Sequence, residues 1–266
     1  MERRFRLAVG QSPAELPTVG DRLDWLSDIL PSVAEKGADL LVLPELFATG
    51  YHIGDQVAVR AEPADGPIGQ AISALAKSFG VAIHYGFPEA DDARIYNSAQ
   101  CFGPDGARLG GHRKLAIPPG FERDHFTPGQ ECRLFTYRNV RIATLICYDA
   151  EFPEIVRRAA TLGAELVLVP TALGAQWGWV ARCMIPTRAF ENGVFLAYAN
   201  SAGSENGLDF LGQSLIAAPD GHELARAGAT AEILFGDLHL DRVAAARSRL
   251  PYLSERDLLP PDIRGF

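Results

Sequence analysis

The feature that most constrains the fold of this chain is a segment that occurs twice, once in each half. Residues 36–44 are Lys-Gly-Ala-Asp-Leu-Leu-Val-Leu-Pro, and residues 162–170 are Leu-Gly-Ala-Glu-Leu-Val-Leu-Val-Pro. Each copy joins the end of a helix pattern to a short apolar strand, and each half also carries a Pro-Asp-Gly turn. The repeat predicts two similar α/β layers packed face to face, with helices outside two sheets. The alternative is a chance similarity of two helix–strand connections.

Helix and strand patterns alternate around these two copies. Apolar residues at helical spacing predict helices over residues 21–36, 68–79, 153–162 and 180–192. Apolar runs predict strands over residues 5–11, 40–43, 81–87, 141–147, 166–169, 194–199 and 231–238, with hairpins over 96–114 and 213–227. We expect a single domain over residues 1–266, in which residues from about 250 to 266 form a C-terminal tail at a subunit interface.

Charge and cysteine usage exclude several classes of protein. The net charge of −8 argues against nucleic acid or an anionic membrane as the main partner. No apolar stretch reaches the roughly 18 residues that a membrane span needs. The four cysteines are scattered without close pairs, which favours reduced thiols over disulfides or a metal site. We therefore expect a cytoplasmic protein without a bound metal.

Cys147 is the first candidate for chemistry, because an apolar run stops at its thiol and a helix pattern follows at once. Asp149 is predicted to be the N-cap of that helix, and Pro153 suits its first turn. A thiol before a helix N-terminus faces unpaired N–H groups, which would stabilise a thiolate; the Tyr148 N–H would hold an oxyanion. From these residues alone, a nucleophile and a small buried hydrophobic residue are equally good interpretations of Cys147.

Two further candidates also follow strand patterns. Glu45 comes directly after the strand at residues 40–43, and Lys114 closes the hairpin at residues 96–114. Functional groups collect at strand ends in α/β sheets, so Glu45, Lys114 and Cys147 are expected to meet. Acyl transfer needs a nucleophile, a base and a group that stabilises the oxyanion, and these three residues supply them. Taken singly, Glu45 and Lys114 are better explained as solvated turn residues.

The motifs around these residues resemble the three signatures of the nitrilase superfamily of carbon–nitrogen hydrolases. They are Leu43-Pro-Glu45-Leu-Phe47, His112-Arg-Lys114-Leu115 and Leu145-Ile-Cys147-Tyr-Asp-Ala-Glu-Phe-Pro153. They occur in the family's order and spacing, and the resemblance runs from Ala8 to about Tyr252. It implies a four-layer αββα sandwich, a homodimer or higher homo-oligomer, no cofactor and no metal. It also implies that Glu45, Lys114 and Cys147 form a Glu-Lys-Cys catalytic centre.

The resemblance assigns supporting residues as well. Family members often have a second glutamate before a Phe-x-Pro-Gly turn, and Glu122 takes that place before residues 126–129. Its expected role is to hold Lys114 and to contact the substrate amide nitrogen. The segment departs from the family pattern, because Leu-Ala-Ile follows Lys114 where the family usually has x-His-Leu. The substrate pocket is predicted to be lined by Tyr51, Thr171, Ala172, Leu173, Trp177 and Asn200.

Within the superfamily, several stretches are most similar to bacterial aliphatic amidases of the 5-aminopentanamidase type. They include residues 50–54, 85–89, 95–98, 212–214 and 250–253. This resemblance implies that a small aliphatic carboxamide is hydrolysed to carboxylate and ammonia through a cysteine thioester, with an ω-amino amide as the narrower hypothesis. A cationic tail would need a carboxylate in the pocket, and the candidates are Asp55, Glu205 and Asp209. Leu173, where this group tends to have Asn, indicates a less polar pocket.

Several alternatives stay open. An N-carbamoyl-amine hydrolase and a nitrilase are alternatives inside the superfamily, although a nitrilase would usually have Trp where this chain has Tyr148. A catalytically silent scaffold on the same fold is the alternative outside enzymes. A cysteine protease would need a histidine base, and none of the six histidines lies in a recognisable motif. The sequence does not fix the physiological amide, its chirality or the number of subunits.

Overall fold

The structure, a computed structural model, describes residues 3–260 and is built around two six-stranded sheets. The first sheet contains, in spatial order, β14 (Glu232–His239), β1 (Arg4–Gln11), β2 (Leu40–Val42), β3 (Ala82–Asp91), β4 (Arg94–Phe102) and β5 (Arg108–Arg113). The second contains β13 (Glu223–Arg226), β12 (Leu215–Ala217), β9 (Phe195–Ala199), β8 (Leu166–Pro170), β7 (Val140–Thr144) and β6 (Leu134–Tyr137). A separate hairpin consists of β10 (Ala202–Glu205) and β11 (Leu208–Leu211).

The helices are α1 (Val19–Glu35), α2 (Gln56–Arg60), α3 (Pro67–Phe79), α4 (Phe121–His125), α5 (Pro153–Thr161), α6 (Ile185–Asn192), α7 (Asp241–Arg249) and α8 (Tyr252–Glu255). Apolar residues of α1 and α3 pack on the outer face of the first sheet, and those of α5 and α6 pack on the outer face of the second. The longest, α1, starts at a capping box in which Thr18 and Asp21 bond each other's backbone N–H groups. None of the helices between residues 3 and 260 is both long and apolar enough to cross a membrane.

The strands place alternate side chains in two different cores, as the period of two requires. In β2, Leu40 and Val42 pack between the two sheets, whereas Leu41 packs with the apolar faces of α1 and α3. The same alternation occurs in β8, where Leu166 and Leu168 face the first sheet and Val167 faces the helices of the second half. The predicted four-layer αββα sandwich is therefore confirmed.

The predicted boundary near Cys147 is wrong in one respect. The strand β7 ends at Thr144, and Cys147 begins a short 3-10 helix (Cys147–Glu151) that precedes α5. Helix α5 starts at Pro153 after Phe152, so Asp149 is not its N-cap. The predicted helix start at Pro153 is right, but the strand end and the N-cap were misassigned because the tight turn between them interrupts both periodicities.

The C-terminal segment lies partly on the core. The side chain of Leu253 packs against the core of the second half, contrary to its exposed-looking position in the sequence. Leu258 and Leu259 remain exposed, while Phe266 lies outside the described residues. The location of this tail at a subunit interface stays a prediction.

Candidate active site

Glu45 is presented by a tight turn at the end of β2. Leu46 adopts a left-handed backbone with φ of +48°, and the turn is held by the Ala48 N–H, which donates to the Gly86 carbonyl at 3.1 Å. A Cβ atom at Gly86 would collide with the Leu46 nitrogen, so β3 needs glycine at this position. The turn is thus fixed against the neighbouring strand, and the Glu45 side chain is completely buried.

Lys114 follows β5 and points into the same buried space. Its backbone N–H donates to the Asn97 carbonyl at 2.8 Å, which extends the β4–β5 pairing by one residue. Its Nζ donates to Glu45 Oε1 at 2.6 Å and to Glu122 Oε1 and Oε2 at 2.6 and 2.8 Å. The structure therefore brings together Glu45, Lys114 and Glu122, and Glu122 contacts Lys114 as the family resemblance implied.

Burial and charge act in opposite directions on this cluster. Burial by itself would lower the pKa of Lys114, but the charges of Glu45 and Glu122 outweigh it and raise that pKa, so the ammonium form persists. Burial raises the pKa of Glu45 to about 7; Glu122 adds to this rise, and Lys114 opposes it without cancelling it. Glu45 is therefore a carboxyl group that both accepts and releases a proton near neutral pH.

One carboxylate oxygen of the cluster is available for proton transfer. Glu45 Oε1 accepts hydrogen bonds from Lys114 and from Asn97 Nδ2, the latter at 2.7 Å. Both oxygens of Glu122 are also engaged, by Lys114, by the Tyr51 hydroxyl at 2.8 Å and by Asn97 Nδ2 at 3.1 Å. Glu45 Oε2 is buried and has no hydrogen-bond partner among residues 3–260. This orphaned acceptor suits a base whose partner arrives with the substrate.

Cys147 occupies a strained turn beside this cluster. Its φ of +47° lies in the left-handed region, which is uncommon for a residue other than glycine and costs on the order of 1 kcal/mol. Burial raises the pKa of its thiol, as do the charges of Glu45 and Glu122, against the opposing effects of Lys114 and a hydrogen bond with Thr171. These effects act against the expected stabilisation of a thiolate and favour a thiol that needs a base.

Asp149 connects the turn of Cys147 with the segment of Lys114. Its Oδ1 accepts from the backbone N–H groups of Leu115 and Ala116 at 3.0 and 2.7 Å. Its Oδ2 accepts from the Ile146 N–H at 3.0 Å and lies 3.0 Å from His112 Nε2. The residue predicted as a helix cap instead joins the two strand ends that carry the candidate nucleophile and lysine.

Three of the six predicted pocket residues adjoin the cluster. Tyr51 bonds Glu122, and Thr171 is hydrogen-bonded both to Cys147 and, at 3.1 Å, to the Tyr198 hydroxyl. Ala172 packs with Tyr51 in a small apolar group beside the hairpin β10–β11. Tyr148 lies in the first turn of the 3-10 helix, where backbone N–H groups have no partner within the helix.

The other three predicted pocket residues have different surroundings. The Asn200 amide is used by backbone groups: it accepts from the Leu173 N–H at 2.9 Å and donates to the Leu173 and Gly212 carbonyls. Leu173 packs in the core of the second half. Trp177 lies on the surface, with 59% of the residue exposed. Asn200 thus ties the backbone at Leu173 to that at Gly212, and Trp177 is exposed at the surface.

The acids proposed for a cationic tail are all unsuited to it. Glu205 is buried, but it pairs with Arg22 at 2.8 Å and accepts from the Tyr51 and His52 N–H groups at 2.8 and 2.6 Å. The Asp55 carboxylate is fully exposed, and Asp209 is also exposed. Glu205 instead positions Tyr51, which in turn bonds Glu122.

Asn97 is a site residue that the sequence analysis missed. It bonds both glutamates and lies beside Lys114 because Ser98 pairs with Arg113 in the β4–β5 register. The register of the predicted hairpin was the signal that would have found it.

Comparisons with known proteins identify the family of this chain. The model of the family described as carbon-nitrogen hydrolase matches residues 6–248. A Pseudomonas protegens protein named hydrolase in pqqF 5′ region is 40% identical, over 96% of this chain and 90% of that protein. An (R)-stereoselective amidase from Pseudomonas sp. is 37% identical, over 90% and 88% of the two chains.

A solved structure shares the fold. It is a mutant of the amidase from Nesterenkonia sp. AN1 showing covalent addition of the acetamide moiety of fluoroacetamide at the active site cysteine. The two chains are 32% identical, with a TM-score of 0.84 over 96% of this chain and 97% of that one.

Proposed function

This chain belongs to the carbon–nitrogen hydrolase family and is a hydrolase of amide C–N bonds, and we propose that it cleaves a small aliphatic carboxamide through a thioester on Cys147. The proposal rests on the orphaned Oε2 atom of Glu45. A buried carboxyl group with a pKa near 7 and one free oxygen beside a protonated thiol is the arrangement that general base catalysis requires.

In the first half of the reaction, the Cys147 thiol gives its proton to Glu45 while sulfur attacks the amide carbonyl carbon. The carbonyl oxygen becomes an oxyanion, which the Lys114 ammonium and the Tyr148 N–H stabilise. When this intermediate collapses, the C–N bond breaks, and Glu45 returns the proton to the departing nitrogen. Ammonia leaves, and the acyl group stays on sulfur as a thioester.

In the second half, water attacks the thioester and Glu45 takes one of its protons. The C–S bond breaks, the carboxylic acid is released, and the sulfur recovers its proton from Glu45. In one turnover Glu45 therefore takes up a proton twice and gives one back twice, so the protons balance. Glu122 holds Lys114 throughout, since both of its oxygens are bonded to that ammonium, and Tyr51 and Asn97 fix Glu122 in turn.

The test is intact-protein mass spectrometry during turnover, together with an ammonia-release assay. The substrate panel contains short aliphatic amides, ω-amino amides, N-carbamoyl amines and nitriles. Wild type should gain the mass of the acyl group, while Cys147→Ala should show no adduct and lose several orders of magnitude of turnover. The matched control is Cys101→Ala, which removes a buried thiol of the first sheet. Substantial turnover by Cys147→Ala would overturn the mechanism, and faster turnover of nitriles or carbamoyl amines would change the substrate class.

A further inference from the structure

Arg22 and Glu205 form a buried ion pair outside the Glu-Lys-Cys cluster. Arg22 belongs to α1 and Glu205 ends β10, and Nη2 of the arginine lies 2.8 Å from Oε1 of the glutamate. Only 3% of the Arg22 side chain and 9% of the Glu205 side chain are exposed. Two charges taken this far out of water are costly unless further groups bond them. The backbone groups that bond this pair therefore show what it holds in place.

Both members of the pair bond the backbone of the loop that follows β2. Arg22 Nη1 donates to the Phe47 carbonyl at 3.3 Å. Glu205 Oε2 accepts from the backbone N–H groups of Tyr51 and His52 at 2.8 and 2.6 Å. The ion pair thus holds this loop at both ends, through a carbonyl at one end and through two N–H groups at the other.

Gly50 allows the loop to lie directly against the ion pair. Its φ of +96° is in the left-handed region that favours glycine. A Cβ atom at this position would lie 2.4 Å from Glu205 Oε1 and 3.1 Å from Arg22 Nη2. No side chain separates the loop backbone from the two charged groups, so a change in either of them acts on the loop.

The two ends of the loop lead to the two carboxylates that bond Lys114. Phe47 lies two residues after Glu45, which accepts from Lys114 Nζ at 2.6 Å. At the other end, the Tyr51 hydroxyl donates to Glu122 Oε1 at 2.8 Å, and the same oxygen accepts from Lys114 Nζ at 2.6 Å. A displacement of the loop would therefore move the base and loosen the second glutamate at the same time.

We propose that Arg22 and Glu205 are positioning residues for amide hydrolysis, which hold the base and the lysine in their reactive geometry through residues 46–52. This inference rests on the proposed function and adds two residues to it. The pair takes no part in proton transfer, because its hydrogen bonds run between its members and to backbone groups. A misplacement of reacting groups by about 1 Å costs on the order of a hundredfold in rate. Because reacting groups are displaced, the loss should appear in kcat and not in KM.

The experiment measures kcat and KM of Glu205→Gln, Arg22→Lys, Arg22→Met and the double variant Arg22→Met/Glu205→Gln, with the amide that wild type hydrolyses fastest. Glu205→Gln should lower kcat by about ten- to a hundredfold and leave KM within about threefold. Arg22→Lys keeps the charge without the planar fork, so it should lose less activity than Arg22→Met. Since the two side chains act as one unit, the double variant should lose no more activity than the worse single variant.

The pH profile and a matched control distinguish positioning from a general loss of stability. The Lys114 ammonium opposes the rise in the pKa of Glu45. When that contact loosens in Glu205→Gln, the acidic limb of the kcat/KM profile should move to higher pH. The control is Val33→Ala, which removes buried apolar atoms near the C-terminal end of α1. It should lower the unfolding temperature while leaving kcat and the pH profile unchanged.

Circular dichroism checks that each variant is folded. The double variant leaves neither charge unpaired, so it keeps the test open if an unpaired charge prevents a single variant from folding. Wild-type kcat in folded Glu205→Gln or in the folded double variant would overturn the positioning role and leave the amidase function intact. If wild type releases no ammonia from any amide and forms no Cys147 adduct, the proposed function itself fails, and this inference fails with it.

Discussion

Asp149 accepts a hydrogen bond from the backbone N–H of Ala116 at 2.7 Å, across the boundary between the two sheets. The same carboxylate also bonds the Ile146 N–H, one residue before Cys147. The position of Lys114 relative to the sulfur atom is therefore set by backbone groups that one buried side chain joins.

We expect Asp149→Asn to impair both stability and turnover. The asparagine NH2 group takes the place of a carboxylate oxygen that accepts from the backbone N–H of Ile146 or from those of Leu115 and Ala116. Two donors then face each other, and the free energy of unfolding should fall by about 1–3 kcal/mol. The kcat should fall more than KM rises. Urea unfolding and steady-state kinetics measure the two effects. Asp92→Asn, at an exposed turn residue with φ of +52°, is the control. Equal stability of the two variants would contradict the joining role.

The pH dependence of turnover follows from Glu45. Its pKa of about 7 means that acidification protonates the base, so kcat/KM should fall below neutral pH by about tenfold per unit. The folded protein keeps the Glu45 proton up to a pH of about 7, whereas the unfolded chain releases it near the ordinary pKa of 4.5. The free energy of unfolding should therefore fall as the pH rises from about 4.5 to about 7. Glu45→Gln should be inactive and should lose that stability change. A rate profile that stays flat well below pH 7 would rule out this base.

We expect activity to be lost both when Lys114 loses its charge and when another cationic side chain replaces it. Lys114→Met leaves two buried carboxylates without a counter-charge, which should lower the free energy of unfolding by about 3–5 kcal/mol. Lys114→Arg keeps the charge, but the planar guanidinium does not fit a fully buried space shaped for a compact ammonium. Both variants should lose most of kcat. Lys77→Met, at an exposed position of α3, is the control. Near-normal turnover by Lys114→Arg would show that donor shape is unimportant.

The enzyme should be a homodimer or a larger homo-oligomer at micromolar concentration. Leu258, Leu259 and Tyr252 are 81%, 46% and 42% exposed, which is a large apolar surface for the end of a chain. Light scattering measures the mass, and deletion of the residues after Leu253 should shift the protein towards monomer. Val59→Ser removes an exposed apolar side chain from a different helix and is the control. A monomeric wild type would contradict the prediction.

The sequence predicted the parts of the fold that depend on local periodicity. The helices α1, α3, α5 and α6 and most sheet strands match the apolar spacing, because burial on one face forces that spacing. The hairpin β10–β11 and the strand β6 were not predicted, since they are short and only partly buried. Asp149 was misread for the same reason, because its partners Leu115 and Ala116 lie more than 30 residues away along the chain and no local pattern records them.

The candidate site divides in the same way. Glu45, Lys114 and Cys147 were predicted from motifs, and their strand-end positions explain why they meet. The sequence did not predict the contacts of Tyr51 or the ion pair of Glu205 with Arg22, because they join elements that are distant along the chain. Glu205, which was a candidate for binding a cationic substrate, is therefore already paired.

The two sheets contribute different parts of the site, with Glu45 and Lys114 on the first and Cys147 on the second. Neither sheet therefore carries the whole site, and a chain whose sheets have formed but have not packed on each other is inert. Turnover is then an assay of cooperative assembly: the fraction of active molecules counts those in which the two sheets have packed together. A variant that weakens only the contact between the sheets would lose activity before it lost secondary structure.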